Sequence, residues 1–133
     1  MGSMAYCPQS SPQPLGNVLV ATPGAPVQIT ATLQATAAGS GNIVNSSTDI
    51  VPVKMISIIA SPITHAGAGN TGKIYFGVQG MVRATLAGVI AVLSPGQSIP
   101  VTVGDSVNPL DANTLYIDAD NAADGIYGSL MTL

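Results

Sequence analysis

The chain has no glutamate and no tryptophan, one histidine, one cysteine and only three basic residues. Each shortage removes a class of function. Lys54, Lys73 and Arg83 stand against six aspartates for a net charge of −3, which leaves no positive footprint for a phosphate backbone and excludes nucleic acid as a partner. Without glutamate, glycosidase chemistry would need an aspartate pair, and no such pair is marked by context. A single cysteine, Cys7, forbids an internal disulfide. Charged residues make up 7% of the chain, against about 25% in an ordinary soluble domain, so the long charged side chains that coat exposed helices are nearly missing. Helix bundles are thereby disfavoured. Long apolar runs are missing too. The stretch from Leu86 to Leu93 is preceded by Arg83 and stopped by Ser94-Pro95-Gly96, far short of the roughly 20 residues a spanning helix needs, so no membrane partner is expected. Residues 1–17 show no basic start and no apolar core, so no secretory signal is expected.

What the chain does contain is 47% hydrophobic residues in 133, enough for one core and inconsistent with disorder. The apolar positions recur with a period of two. Val27, Ile29, Ala31 and Leu33 alternate with Gln28, Thr30, Thr32 and Gln34, which predicts a half-buried strand. The same alternation marks Ile74–Val78, Ile99–Val103 and Leu115–Ile117. Residues 50–60 are apolar on both faces with Pro52 near the start, as expected of a central strand covered on both sides. Val18–Ala21 reads as a short opening strand and Gly125–Leu133 as a closing one. Val82–Leu93 also fits helical spacing, but Gly88 in its middle favours two short strands. Turn signals rich in Gly, Pro and Asn separate these runs, at 22–26, 38–42, 67–72, 94–97 and 120–125. The expected fold is therefore all-β: one β-sandwich or jelly-roll domain of seven or eight short antiparallel strands over residues 17–133. Residues 1–16, with Pro8, Pro12 and Pro14, are expected to form an extended arm.

Four motifs bear on chemistry. Gly67-Ala68-Gly69-Asn70-Thr71-Gly72-Lys73 fits the G-x-x-x-x-G-K portion of a phosphate loop, yet Ile74 replaces the hydroxyl that would hold magnesium and a strand follows where a helix N-terminus is required. A glycine-rich hairpin loop is the better reading. Asp118, Asp120 and Asp124 precede Gly125, but Ala122 interrupts the calcium-loop spacing and no bidentate glutamate follows, so they are expected to be turn aspartates. His65 and Cys7 lie far apart in the chain, and no serine sits in a G-x-S-x-G elbow, so neither a Cys–His nor a Ser–His–Asp constellation is assigned. Asn45-Ser46-Ser47 fits a glycosylation acceptor and is expected to be plain loop. No catalytic residue, metal ligand or cofactor is assigned, and the chain is not expected to be an enzyme.

Three stretches carry a family likeness: Gly69-Asn70-Thr71-Gly72-Lys73-Ile74-Tyr75-Phe76-Gly77, Leu93-Ser94-Pro95-Gly96-Gln97-Ser98-Ile99, and Asn113-Thr114-Leu115-Tyr116-Ile117-Asp118-Ala119. Together they resemble the small β-sandwich virion proteins of tailed bacteriophages, over residues 50–133. Asn70, Gly72, Tyr75, Gly77, Pro95, Gly96 and Tyr116 match as scaffold positions. The resemblance implies a capsid decoration or other structural role without catalytic residues, and the leading expectation is a head decoration, or cement, protein on the outer capsid surface, made in the host cytoplasm, partnered by itself as a homotrimer and by the major capsid protein. The charge-poor surface of Thr, Ser, Gln, Asn, Ala and Gly agrees, since copies repel one another little. The alternative is a receptor- or carbohydrate-binding module of a tail fibre or baseplate, in which Tyr75, Tyr116 and Tyr127 would line a sugar platform.

Because Ile74 and the strand context deny the glycine loop its metal ligand and its helix, titration with ATP and magnesium is expected to release no saturable heat, with Lys73→Ala indistinguishable from the parent chain. Saturable binding abolished by Lys73→Ala would reinstate a nucleotide site.

Overall fold

The period-two segments become paired strands in the computed structural model, which describes residues 12–31, 52–60, 69–102 and 110–132. The strands are β1 (Pro12–Leu19), β2 (Val27–Gln28), β3 (Pro52–Ala60), β4 (Ile74–Val82), β5 (Ala87–Leu93), β6 (Ser98–Thr102), β7 (Leu110–Asp111), β8 (Leu115–Ala119) and β9 (Gly125–Thr132), with one 3-10 turn at Ala112–Thr114. All pairings are antiparallel. One sheet runs β1-β9-β3-β6, with β7 on β3, and the other runs β2-β8-β4-β5. Apart from the β4–β5 hairpin and the step from β6 to β7, each connection passes from one sheet to the other. That order is a jelly roll.

Alternation explains which side of each strand is buried. Ile74 and Phe76 on β4 pair with Ala119 and Ile117 on β8, and all four are fully buried. Opposite them, Ile56, Ile58 and Ala60 of β3 face inward and join the same apolar cluster. A bulge between Val53 and Met55 shifts the phase by one residue, so Val53 is also fully buried. β3 is central, as expected, but its outward row of Met55, Ser57 and Ile59 is half-buried rather than covered. Each fully buried Ile, Leu or Phe contributes about 1.5–3 kcal/mol of transfer free energy.

Several expectations need correction. Residues 12–16 are not arm but the first half of β1, paired with β9 from Pro12↔Met131 onward. Prolines 12 and 14 are tolerated because β1 is an edge strand, hydrogen-bonded on one side only. A bulge between Pro14 and Gly16 turns Leu15 into the core with no exposed surface. Residues 1–11 lie outside the described residues. The predicted strand at 27–34 pairs only through Val27 and Gln28, after which Ile29 and Thr30 turn, and 32–34 fall outside the described residues. Val82–Leu93 supplies the end of β4, a turn and the single strand β5, in which Gly88 takes φ +72. The Pro-Gly turns form as read: Ala25 N donates to Thr22 O and Gln97 N to Ser94 O, with Gly24 and Gly96 at φ +90 and +85.

Leu15→Ala is expected to cost about 3 kcal/mol by emptying a fully buried site, and a chain beginning at Asn17 to lose at least as much. Urea unfolding checks both. A truncated chain as stable as the full one would return residues 12–16 to a passive arm.

Candidate functional site

Three features of the fold carry polar chemistry or exposed apolar surface. The first joins the glycine loop to the β8–β9 turn. Asp124 is nearly fully buried, and its carboxylate accepts from Thr71 N at 3.2 and 3.1 Å and from Gly72 N at 2.9 Å. Beside it, Asn70 behaves like a strand partner: its Nδ2 donates to Gly125 O at 2.8 Å and its Oδ1 accepts from Gly125 N at 3.1 Å. The turn also ties down the end of β1, through Val20 N to Asp124 O and Ala123 N to Val20 O, both 2.9 Å. The loop that fits a phosphate cradle therefore does bind an anion with backbone amides, but the anion is the chain's own carboxylate. The Lys73 backbone pairs with Asp120, and its side chain is exposed.

The second feature is a charged corner on the outer face of the β8 sheet. Asp118 and Asp120 alternate onto one side of the strand end, and Arg83 reaches both, Nε to Asp118 Oδ2 at 3.6 Å and Nη1 to Asp120 Oδ1 at 3.0 Å. Asp118 is 1% exposed, and its Oδ1 accepts from Gly24 N at 2.9 Å and Ala119 N at 2.8 Å, which staples the 22–25 turn to β8. The Tyr75 hydroxyl donates to Asp120 Oδ1 at 3.1 Å. Burial, that hydrogen bond and the Asp120 charge raise the phenol above the usual tyrosine value against the opposing pull of Arg83, so it stays a donor at neutral pH. An open cleft of about 240 Å³ adjoins the corner, lined by Gly24, Met81, Val82, Arg83, Ala84 and Asp118. Its two charged groups are engaged with each other, so they serve the fold and present no unspent nucleophile, acid or base.

The three aspartates of the suspected calcium loop thus have separate duties, Asp118 and Asp120 on Arg83 and Asp124 on the glycine loop. Sequence reasoning missed Arg83. The available signal was the D-x-D pattern on a strand, which puts both carboxylates on one face, and an arginine that is the only charged residue between Ile74 and Thr102. Cys7, Asn45, Ser46, Ser47 and His65 lie outside the described residues. The tyrosines do not converge as a platform would require: Tyr75 and Tyr116 are on adjacent strands of one sheet, and Tyr127 is on β9 of the other.

The third feature is the β4–β5 hairpin. Among the described residues seven large hydrophobic side chains are exposed, and five of them, Val78, Val82, Leu86, Ile90 and Val92, belong to this hairpin. Leu86 at its tip holds φ +61, a left-handed backbone that glycine or asparagine adopts at less cost.

Asp124→Ala leaves the Thr71 and Gly72 amides without their acceptor and is expected to cost about 2–3 kcal/mol, with Asp124→Asn recovering part of the loss through its one remaining oxygen. Unfolding midpoints at constant slope in urea measure both. An alanine variant as stable as the parent would mean that the clasp does not hold the loop.

In comparisons with protein-family models, with curated proteins and with solved structures, no match to this chain is found.

Proposed function

We propose that the protein is a structural component of a tailed-bacteriophage virion: a capsid decoration, or cement, protein that sits on the outer head surface as a homo-oligomer and bridges neighbouring copies of the major capsid protein. The observation that carries this reading is the exposed apolar surface of the β4–β5 hairpin on a domain with 7% charged residues. Large apolar side chains left exposed and gathered on one hairpin point to a protein partner. The resemblance in the glycine loop, the Pro95-Gly96 turn and β8 supports the same class. Its matching residues work as scaffold, Asn70 pairing with Gly125 and Tyr75 with Asp120, which suits a protein whose role is contact area. The carbohydrate-module alternative would have to rest on Tyr75 and Tyr116 of adjacent strands, with Tyr127 on the other sheet.

Purified protein added to capsids of the parent phage lacking it is expected to co-sediment saturably and to raise the temperature at which they rupture. Failure to co-sediment, combined with selective binding on a glycan array, would replace this reading with the tail-fibre one.

A further inference from the structure

The four sheet edges formed by the described residues differ in how they are protected. An edge strand presents unpaired backbone donors and acceptors, and stable domains block them with proline, charge, bulges or shortness. β1 carries Pro12 and Pro14 and a bulge, β6 carries Pro100, and β2 is two residues long with Pro26 before it. β5 carries no proline and no charge and is not short, although it is bulged at Ile90, between the Phe76–Ala91 and Gly77–Val89 pairs. It is a seven-residue strand, Ala87–Leu93, without proline or charge, paired with β4 on one side and with no strand on the other among the described residues. Bulges in its pairing with β4 leave the stretch from Ala91 to Leu93 in regular register.

We infer that β5 is a pairing edge and that its occupant is the β5 strand of a second copy, antiparallel about a two-fold axis. This takes from the proposed function only that the hairpin is a contact surface. Three observations select a copy of the same chain. A two-fold contact sets β5 against itself, so any charge near its centre would face its like, and residues 84–102 contain none. Ile90 and Val92, 55% and 38% exposed, lie on the edge strand itself, so pairing covers them along with the backbone. Leu86 adds a further exposed apolar side chain at the tip at the expense of a strained backbone, which a free surface turn would not need. A three-fold ring built edge to edge would require a different open edge to receive β5, and the other three are blocked. The edges therefore favour pairs over the trimer expected from the resemblance.

Light scattering coupled to size exclusion tests this with the full chain, Ile90→Lys, and Ser98→Lys on the blocked β6 edge. The parent chain and Ser98→Lys are expected at about twice 13.2 kDa at low micromolar concentration, and Ile90→Lys at the monomer mass, its association weakened about 100-fold. Should Ile90→Lys fail to fold, hydrogen exchange on the parent chain decides: β5 amides are expected to exchange about tenfold faster on dilution into the monomer range while β3 amides keep their rates. A monomeric or trimeric parent, a dimer that survives Ile90→Lys, or β5 exchange independent of concentration would overturn the inference. A dimer through β5 that ignores capsids would instead sink only the decoration role.

Discussion

Two backbone amides and one carboxylate hold the two sheets in step. Thr71 and Gly72 lead into β4 of one sheet, Asp124 leads into β9 of the other, and Asn70 pairs with Gly125 where β9 begins. Both strands thus start from one shared joint. Their buried rows, Ile74 and Phe76 on one side and Ile126 and Leu130 on the other, meet in the core because their origins are fixed relative to each other. The same turn anchors the end of β1 through Val20, so three strands depend on where this carboxylate sits. A buried charge is tolerable there because donors surround it, and a charge-assisted hydrogen bond is about twice as strong as a neutral one.

With the interior accounted for, the distribution of charge over the exterior becomes informative. Arg83, in the turn of the β4–β5 hairpin, draws Asp118 and Asp120 to one corner, and the rest of the hairpin, residues 74–82 and 84–93, carries no charge. Solubility is normally secured by interspersed charges, so their segregation leaves an apolar surface free to be a contact. The cleft beside Arg83 is an outcome of the same arrangement, a gap between the stapled 22–25 turn and the hairpin.

Much of the fold was legible because strand side-chain direction is a local property: residues that alternate apolar and polar at the start of β4 and in β8 alternate between the core and the outer face of the sheet. The Pro-Gly turns were legible for a similar reason, since both residues set their own backbone angles. Illegible features depend on distant partners. The prolines of residues 12–16 argue for an arm unless β9 is known to lie on one side only. β7 and the following 3-10 turn are held by Asp111 accepting from Asn113 N and by Thr30 donating to Asn113 Oδ1, a contact between residues 83 apart. At the candidate site, the glycine loop and the turn aspartates were each recognised, but not that one supplies the other's anion across 52 or 53 positions. Arg83 was passed over because an isolated arginine on an apolar hairpin has no local partner to declare its role.

The pairing of β1 with β9 has a mechanical side. Pro12 lies opposite Met131, so a force applied through these two neighbouring points pulls the strands apart across their hydrogen bonds and opens them one rung at a time. Strands loaded along their length must instead break many rungs together. A tether attached at this end would peel β1 away first, starting at the two positions where proline supplies no donor, while β4, β8 and the Asp124 joint stay outside the loaded path. The molecule would then yield by stages under tension, giving up an edge before its core is strained.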